Sequence, residues 1–167
     1  PGGARVFIDR AHITTGRQKP DLIIVAARPA MGKSAFALNI AQYAALHDNR
    51  SVVYFSLEMG KEQLVMRMLC TEASVDSQRI KEGLLTDEEM SRLMDAAEPM
   101  QRSKISIDDG GNATVASIRS KCRRLKAKQG LDLVIVDYMQ LMGGTGMGNR
   151  KSDSRQQEVS DMTRAMK

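Results

Sequence analysis

The stretch DLIIVAARPAMGKSA, residues 21–35, decides the fold class of this chain. Residues 22–27 are all apolar, which is typical of a strand buried on both faces of a parallel sheet, because neither side of such a strand meets water. A turn with Pro29 and Gly32 ends the apolar run. The good helix formers after Ser34 then predict a helix over residues 35–46. Strand, tight turn and helix in this order indicate an α/β fold.

The turn carries Gly-Lys-Ser at the helix entrance, an arrangement that binds phosphate through converging backbone N–H groups and the helix dipole. In this pattern Lys33 would contact the β- and γ-phosphates of a nucleotide, and the Ser34 hydroxyl would complete a Mg2+ shell. The general signature has glycine five places before Gly32, where this chain has Ala27, so an ordinary strand-to-helix turn is the alternative. The predicted nucleotide-binding loop consists of Ala27, Arg28, Pro29, Ala30, Met31, Gly32, Lys33, Ser34 and Ala35.

Two carboxylates follow predicted strands. Glu58 comes just after a strand over residues 51–56, and Asp137 ends an apolar strand over residues 131–137. Open α/β sheets bind their ligands at the carboxyl ends of parallel strands. A strand-terminal aspartate beside a phosphate loop is the pattern that supports Mg2+, so Asp137 joins Ser34 as a candidate metal-site residue.

The remaining elements follow from periodicity and turn residues. Helices are predicted over residues 61–73, 77–83 and 86–100, and a strand is predicted over residues 105–109. Thr114 starts a further helix with one apolar face and one basic face. One interpretation is that the basic face is solvated or contacts another subunit, and the alternative is that it contacts DNA directly. Its residues are Arg119, Lys121, Arg123, Arg124, Lys126 and Lys128.

The composition is that of a globular domain. The chain has 167 residues, 42% of them hydrophobic, and a net charge of 25 − 20 = +5. This charge permits an anionic partner such as nucleic acid. No apolar run is long enough to cross a membrane and no signal peptide is visible. Cys70 and Cys122 lie in helical apolar patterns, so we expect reduced core thiols and a cytoplasmic location.

Several runs together resemble the bacterial and phage replicative DNA helicases of the DnaB family, whose own phosphate loop usually has alanine in place of the first glycine. The similarity covers nearly all of residues 21–167. The runs that carry it are AARPAMGKS (26–34), FSLEM (55–59), QL (63–64), MRMLC (66–70), KCRRLK (121–126), VDYMQL (136–141) and RQQEVS (155–160).

The resemblance implies a RecA-like P-loop NTPase with a mostly parallel sheet flanked by helices, acting as a homo-hexamer on single-stranded DNA. It implies ATP and Mg2+ as cofactors, and a primase and a helicase loader as partners. Lys33 and Ser34 would bind nucleotide and metal, Glu58 would activate the attacking water, and Asp137 would support the metal. Lys33 and Glu58 are therefore the expected catalytic residues. Other RecA-like ATPases, or a nucleotide-binding module without turnover, are the alternatives.

The resemblance also predicts how the chain is divided. Residues 1–20 are expected to be a leader or linker, and residues 21–167 a RecA-like ATPase domain that is incomplete at its C-terminus. Residues 142–154 are predicted as a connector and a helix is predicted from Arg155. Because a strand would be missing between the strands at Leu22 and Leu133, we expect these two strands to pair directly, or residues 1–167 to fold poorly in isolation.

Overall fold

Three parallel strands and five helices make up the part of the chain that the computed structural model describes, which is residues 23, 25, 27, 28, 31–110 and 114–137. The elements, in chain order, are α1 (Lys33–Leu46), β1 (Val52–Ser56), α2 (Lys61–Ala73), α3 (Ser77–Glu82), α4 (Asp87–Arg102), β2 (Ile105–Asp108), α5 (Val115–Gln129) and β3 (Leu133–Asp137). Strands that alternate with helices produce parallel pairing. The predicted α/β class is confirmed.

The sheet has the order β2-β1-β3, with all pairs parallel. Tyr54 in the middle of β1 is opposite Ile107 of β2 and Ile135 of β3. All five residues of β1 are buried, because this strand has a neighbour on each edge and helices over both faces. The register places the carboxyl ends of the strands together at one end of the sheet, where Ser56 is opposite Asp137. We call this end the carboxyl edge of the sheet.

The two faces of the sheet have separate cores. On one face, α1 and α2 pack over β1 through a buried cluster consisting of Leu38, Ala41, Ala45, Val52, Tyr54, Leu64 and Met68. On the other face, α5 packs through Ile118 against Val53 and Phe55. The alternation of neighbouring β1 residues between these clusters is the two-residue period of a strand. The site described below lies at the α1 face.

Helix ends agree with the sequence signals to within about two residues. Thr86 begins α4 with a capping box, in which its side chain and that of Glu89 each bond the other's backbone N–H. Thr114 begins α5 with a second box, completed by Ser117. Gly83 ends α3 with a φ of 69°, a left-handed conformation in which glycine has no side-chain clash.

The predicted buried strand at residues 22–27 requires a correction. Three of its residues are described, Ile23, Val25 and Ala27, and none of them is in a strand. The side chains of Ile23 and Val25 are 66% and 44% exposed. A strand is buried on both faces only when neighbouring strands and helices cover it, and among the described residues β3 pairs with β1 alone. Direct pairing of this segment with β3 is therefore not observed at these three positions.

The basic face of α5 is largely exposed. Arg119, Arg123, Arg124, Lys126 and Lys128 are exposed or partly exposed, whereas Lys121 forms an ion pair with Asp108 at the end of β2. Cys70 is buried, Cys122 is partly buried, and both are free thiols, as the apolar pattern around them predicts. The leader at residues 1–20, the connector at 142–154 and the helix from Arg155 lie outside the described residues.

Candidate active site

The turn before α1 presents the amino end of this helix to the carboxyl edge of the sheet. Gly32 caps α1 with a φ of 82°, a conformation that side chains other than glycine rarely adopt. Gly32 has no side chain that could accept a hydrogen bond from the first turn. The amino end of a helix carries partial positive charge and N–H groups that its own backbone does not satisfy. This end of α1 is therefore suited to a phosphate group.

Lys33 and Asp137 meet at this edge. Lys33 is the first residue of α1, two residues earlier than the sequence predicts for the helix, and Asp137 is the last residue of β3. The Lys33 Nζ atom lies 3.1 Å from Asp137 Oδ1, with side-chain exposures of 26% and 6%. A buried carboxylate is stable when it is paired and hydrogen-bonded. The structure thus brings together a lysine at the amino end of a helix and a strand-terminal aspartate that are 104 residues apart (137 − 33).

Tyr54 binds the other oxygen of the same carboxylate. Its hydroxyl donates a hydrogen bond of 3.0 Å to Asp137 Oδ2. Tyr54 is opposite Ile135 in the register, so Asp137 is its diagonal neighbour on the same face, at a separation that an aromatic side chain can span. Burial, together with the charge of Asp137 and this hydrogen bond, raises the pKa of the Tyr54 phenol well above its ordinary value. Tyr54 is therefore a neutral donor to Asp137.

The turn between β1 and α2 places Glu58 at the same edge. The Ser56 hydroxyl donates to the Met59 carbonyl oxygen at 2.6 Å and accepts from the Met59 N–H at 3.2 Å. The Leu57 N–H donates to the Asp137 carbonyl oxygen at 2.7 Å. These bonds hold both ends of the turn, while the Glu58 side chain is exposed. Glu58 therefore faces solvent from a turn that is anchored to Asp137.

The carboxyl end of β2 supports this turn from the other side. The Lys61 N–H, at the start of α2, donates to Asp109 Oδ2 at 3.0 Å. This backbone hydrogen bond lowers the pKa of the Asp109 carboxyl. A carboxylate at the amino end of a helix is favoured by the helix dipole. Asp109 thereby fixes the start of α2, and with it the end of the turn that carries Glu58.

The donor set fits Mg2+. The Ser34 hydroxyl and the Asp137 carboxylate supply hard oxygen ligands, and Mg2+ in nucleotide sites uses one or two such protein groups together with substrate phosphates. In the described part of the chain no three His, Cys, Asp or Glu side chains form a metal cluster, so the donor set is not that of an all-protein cage. Which atoms bind the ion stays a prediction.

The other residues of the predicted loop are only partly described. Ala27, Arg28, Met31 and Ala35 are exposed, and Arg28 accepts a 3.3 Å hydrogen bond from the Met31 N–H through its carbonyl oxygen. Pro29 and Ala30 lie outside the described residues. The assignment of this loop to nucleotide binding therefore stays a prediction.

Sequence reasoning missed Tyr54. A tyrosine inside a strand is ordinarily a core residue, and nothing in the local pattern indicates that its hydroxyl meets Asp137. The register of β1 against β3 supplies that information.

The chain is similar to replicative DNA helicases. It is 50% identical to replicative DNA helicase DnaC of Bacillus subtilis (strain 168) and 48% identical to replicative DNA helicase DnaB of Geobacillus stearothermophilus, in each case over 96% of this chain. It spans 35% of the length of each of these two relatives. A third relative, replicative DNA helicase DnaB of Nostoc sp. (strain PCC 7120 / SAG 25.82 / UTEX 2576), is 44% identical over the whole chain.

Solved structures give the same result for the fold. A solved ATPase domain aligns with 83% of this chain at a TM-score of 0.72 and 32% identity, over 48% of its own length. A DnaB-like replicative helicase, described with its interactions with primase, aligns with 83% of this chain at a TM-score of 0.70 and 34% identity, over 33% of its own length. The model of the DnaB-like helicase C-terminal domain matches residues 4–167. The chain therefore belongs to the DnaB-like helicase C-terminal domain family.

Proposed function

We propose that this chain is the ATP-hydrolysing motor domain of a replicative DNA helicase, which couples nucleotide hydrolysis to translocation on single-stranded DNA and to duplex unwinding. The observation that carries the proposal is the pairing of Lys33, at the amino end of α1, with Asp137, at the end of β3. This is where a RecA-like motor needs a cation for the γ-phosphate and a carboxylate for the metal. Membership of the DnaB-like family supports the same function.

ATP and Mg2+ are the proposed cofactors. Lys33 and the N–H groups at the start of α1 would hold the phosphates, and Ser34 and Asp137 would hold the ion. When bound, the ion neutralises the charge that develops on the phosphates during transfer. In the proposed function, Lys33 would exchange its 3.1 Å contact with Asp137 for a contact with the phosphates.

Glu58 is the proposed residue that orients the attacking water. Its exposed carboxylate projects from a turn that is fixed at Ser56, at Leu57 and at the start of α2. A carboxylate with this support can accept a proton from water beside a bound phosphate. The support limits where the carboxylate can reach, which is what a positioned base requires.

The proposed partners follow from the relatives. Single-stranded DNA is the proposed track, a homo-hexamer the proposed assembly, a primase and a helicase loader the proposed binding partners, and the cytoplasm the proposed location. The exposed arginines and lysines of α5 are suited either to a neighbouring subunit or to the DNA backbone. None of the helices in the described part of the chain has the length and apolarity to cross a bilayer.

The test of this function is Lys33→Ala in the full-length protein. Loss of the lysine removes a charged contact to the phosphates, so we expect DNA-stimulated ATP hydrolysis to fall by roughly 10²–10³-fold, the range for losing a preorganised charge-stabilising group. Nucleotide binding should weaken as well. Steady-state phosphate release with and without single-stranded DNA measures the effect.

Lys104→Ala is the matched control. Lys104 is exposed and directly precedes β2, at the opposite end of the sheet from the site. Its removal should leave hydrolysis unchanged. Wild-type turnover in Lys33→Ala would remove the phosphate-loop assignment and the proposed function with it.

A further inference from the structure

We infer that Tyr54 is a positioning residue for the metal site: its hydroxyl holds one oxygen of Asp137 so that the other oxygen stays directed at the amino end of α1. The inference rests on the proposed function, because it gives Asp137 a metal to bind. It adds to that function a residue in the middle of β1, outside the phosphate loop and the strand ends.

Two side chains of the described residues contact the Asp137 carboxylate. Oδ2 accepts from the Tyr54 hydroxyl at 3.0 Å, and Oδ1 lies 3.1 Å from Lys33 Nζ. These two contacts divide the carboxylate into an inner oxygen that faces the core and an outer oxygen that faces the phosphate loop. Only the outer oxygen is beside the residue that would bind phosphate. The division assigns the outer oxygen to the metal.

The contacts of Lys33 and Tyr54 with Asp137 differ in how easily each side chain can move away. Lys33 is on a flexible stem and is 26% exposed at its side chain, and it must leave Asp137 to reach a phosphate. Tyr54 is fully buried at 0% exposure, in the cluster with Leu38, Val52 and Leu64, and its ring has few rotamers. When Lys33 leaves, Tyr54 is the contact that keeps the carboxylate in its orientation.

The hydroxyl is not explained by packing alone. The β1 neighbours of Tyr54 on this face are Val52 and Ser56, whose hydroxyl bonds the Met59 backbone, and the residues opposite Tyr54 are Ile107 and Ile135. An apolar side chain of similar volume would fill this space without a polar atom. A buried phenol hydroxyl needs a hydrogen-bond partner, and here the partner is a carboxylate at the site. Residues that hydrogen-bond a metal ligand fix its orientation, and their loss typically costs about 10–100-fold in metal affinity or activity.

The experiment is Tyr54→Phe in the full-length protein, which removes one oxygen and keeps the ring. Binding of the fluorescent nucleotide MANT-ADP is titrated with Mg2+, and the same nucleotide is titrated in EDTA. We expect the Mg2+ concentration at half-saturation to rise about tenfold, while nucleotide affinity in EDTA stays close to that of the wild type. The binding in EDTA also reports whether the variant is folded.

Tyr43→Phe is the matched control. Tyr43 is 61% exposed on α1, where its ring packs 5.0 Å from that of His47, so removal of its hydroxyl should leave the Mg2+ dependence unchanged. An unchanged Mg2+ half-saturation in folded Tyr54→Phe would overturn the positioning role. A loss of nucleotide affinity that is equal with Mg2+ and in EDTA would also overturn it, because that result indicates a packing role.

These experiments distinguish a failure of the positioning role of Tyr54 from a failure of the proposed function. If Lys33→Ala loses nucleotide binding while Tyr54→Phe keeps the wild-type Mg2+ dependence, the positioning role is wrong and the motor function stands. If Lys33→Ala hydrolyses ATP as the wild type does, the proposed function is wrong, and Asp137 then has no metal for Tyr54 to position.

Discussion

Glu58 and Asp137 lie at the same edge of the sheet in opposite environments. Asp137 is buried and held by Lys33 and Tyr54, whereas Glu58 is exposed at the surface of an anchored turn. A metal-supporting carboxylate benefits from fixed partners, while a carboxylate that activates water needs access to it. The difference in burial therefore agrees with the different roles proposed for the two residues.

Glu58→Gln tests the role proposed for Glu58, which is to activate water. The amide keeps the size of the side chain and cannot accept the proton of the water, so hydrolysis should slow by roughly 10²–10⁴-fold while nucleotide affinity stays within a few-fold of the wild type. Single-turnover phosphate release and equilibrium nucleotide binding measure the two quantities. Glu62→Gln, at an exposed position in the first turn of α2, is the control. If binding is lost and hydrolysis per bound nucleotide is unchanged, Glu58 has a structural or metal-site role instead.

At single positions, the sequence predicts a site residue when the evidence for it lies in residues close to it in the chain. Lys33 follows from Gly-Lys-Ser at a helix entrance, and Asp137 follows from an apolar run that ends on a carboxylate; the structure brings these two together. Tyr54 could not be found in this way, because its contact depends on which β3 residue lies diagonally across from it. That register is set by the packing of whole strands.

Among the elements, helices were more predictable than strands. Capping residues such as Thr86 and Thr114 act within three residues of chain, so their signals are local and both helices begin where expected. The strand at residues 22–27 depends instead on distant neighbours. Its apolar composition indicates burial without saying what would cover it, and Ile23 and Val25 are exposed in the structure.

The start of α4 gives a pH-dependent prediction. The Thr86 N–H and the Arg79 guanidinium, in that order of importance, hold the pKa of the Glu89 carboxyl below its ordinary value. A carboxyl whose pKa is lower in the folded state stabilises that state above its unfolded pKa, and the effect is lost as pH falls through the folded value. Glu89→Gln should therefore reduce protection of α4 amides from hydrogen exchange at neutral pH, and the difference from wild type should shrink in acid.

Glu98→Gln provides the comparison within the same helix. Glu98 pairs with Arg102 at the surface, where both side chains are largely exposed, and exposed pairs of this kind contribute little. Protection factors corrected for the intrinsic exchange rate at each pH are the measured quantity. If Glu89→Gln and Glu98→Gln behave alike at neutral pH, the capping box does not stabilise α4 as described.

At the scale of the whole sheet, β2 and β3 are both edge strands among the described residues, and the more exposed apolar side chain of the two lies on β3. In the part of the chain that the structure describes, β3 pairs only with β1, and Val134 is 42% exposed. A strand edge with open N–H and C=O groups and apolar side chains can pair with another chain. We therefore expect residues 1–167, produced alone, to self-associate as concentration rises.

Val134→Lys should reduce that self-association, because a charged side chain on an edge strand opposes pairing with a second strand. Sedimentation velocity over a concentration series measures the associated fraction. Val65→Lys is the control, since Val65 is 44% exposed on helix α2 and away from any strand edge. Equal behaviour of the two variants would show that the edge of β3 does not drive association.

The ion pair between Lys33 and Asp137 also affects which form of a nucleotide the proposed site would accept. Lys33, the cation proposed for phosphate, and Asp137, the carboxylate proposed for the metal, neutralise each other's charge in this ion pair. A nucleotide without its ion would draw Lys33 away and leave the buried carboxylate beside phosphates of the same charge, which is costly. A nucleotide that arrives with its ion offers both residues a replacement at once. In the proposed function, the pair would therefore favour the metal-loaded nucleotide over the bare one.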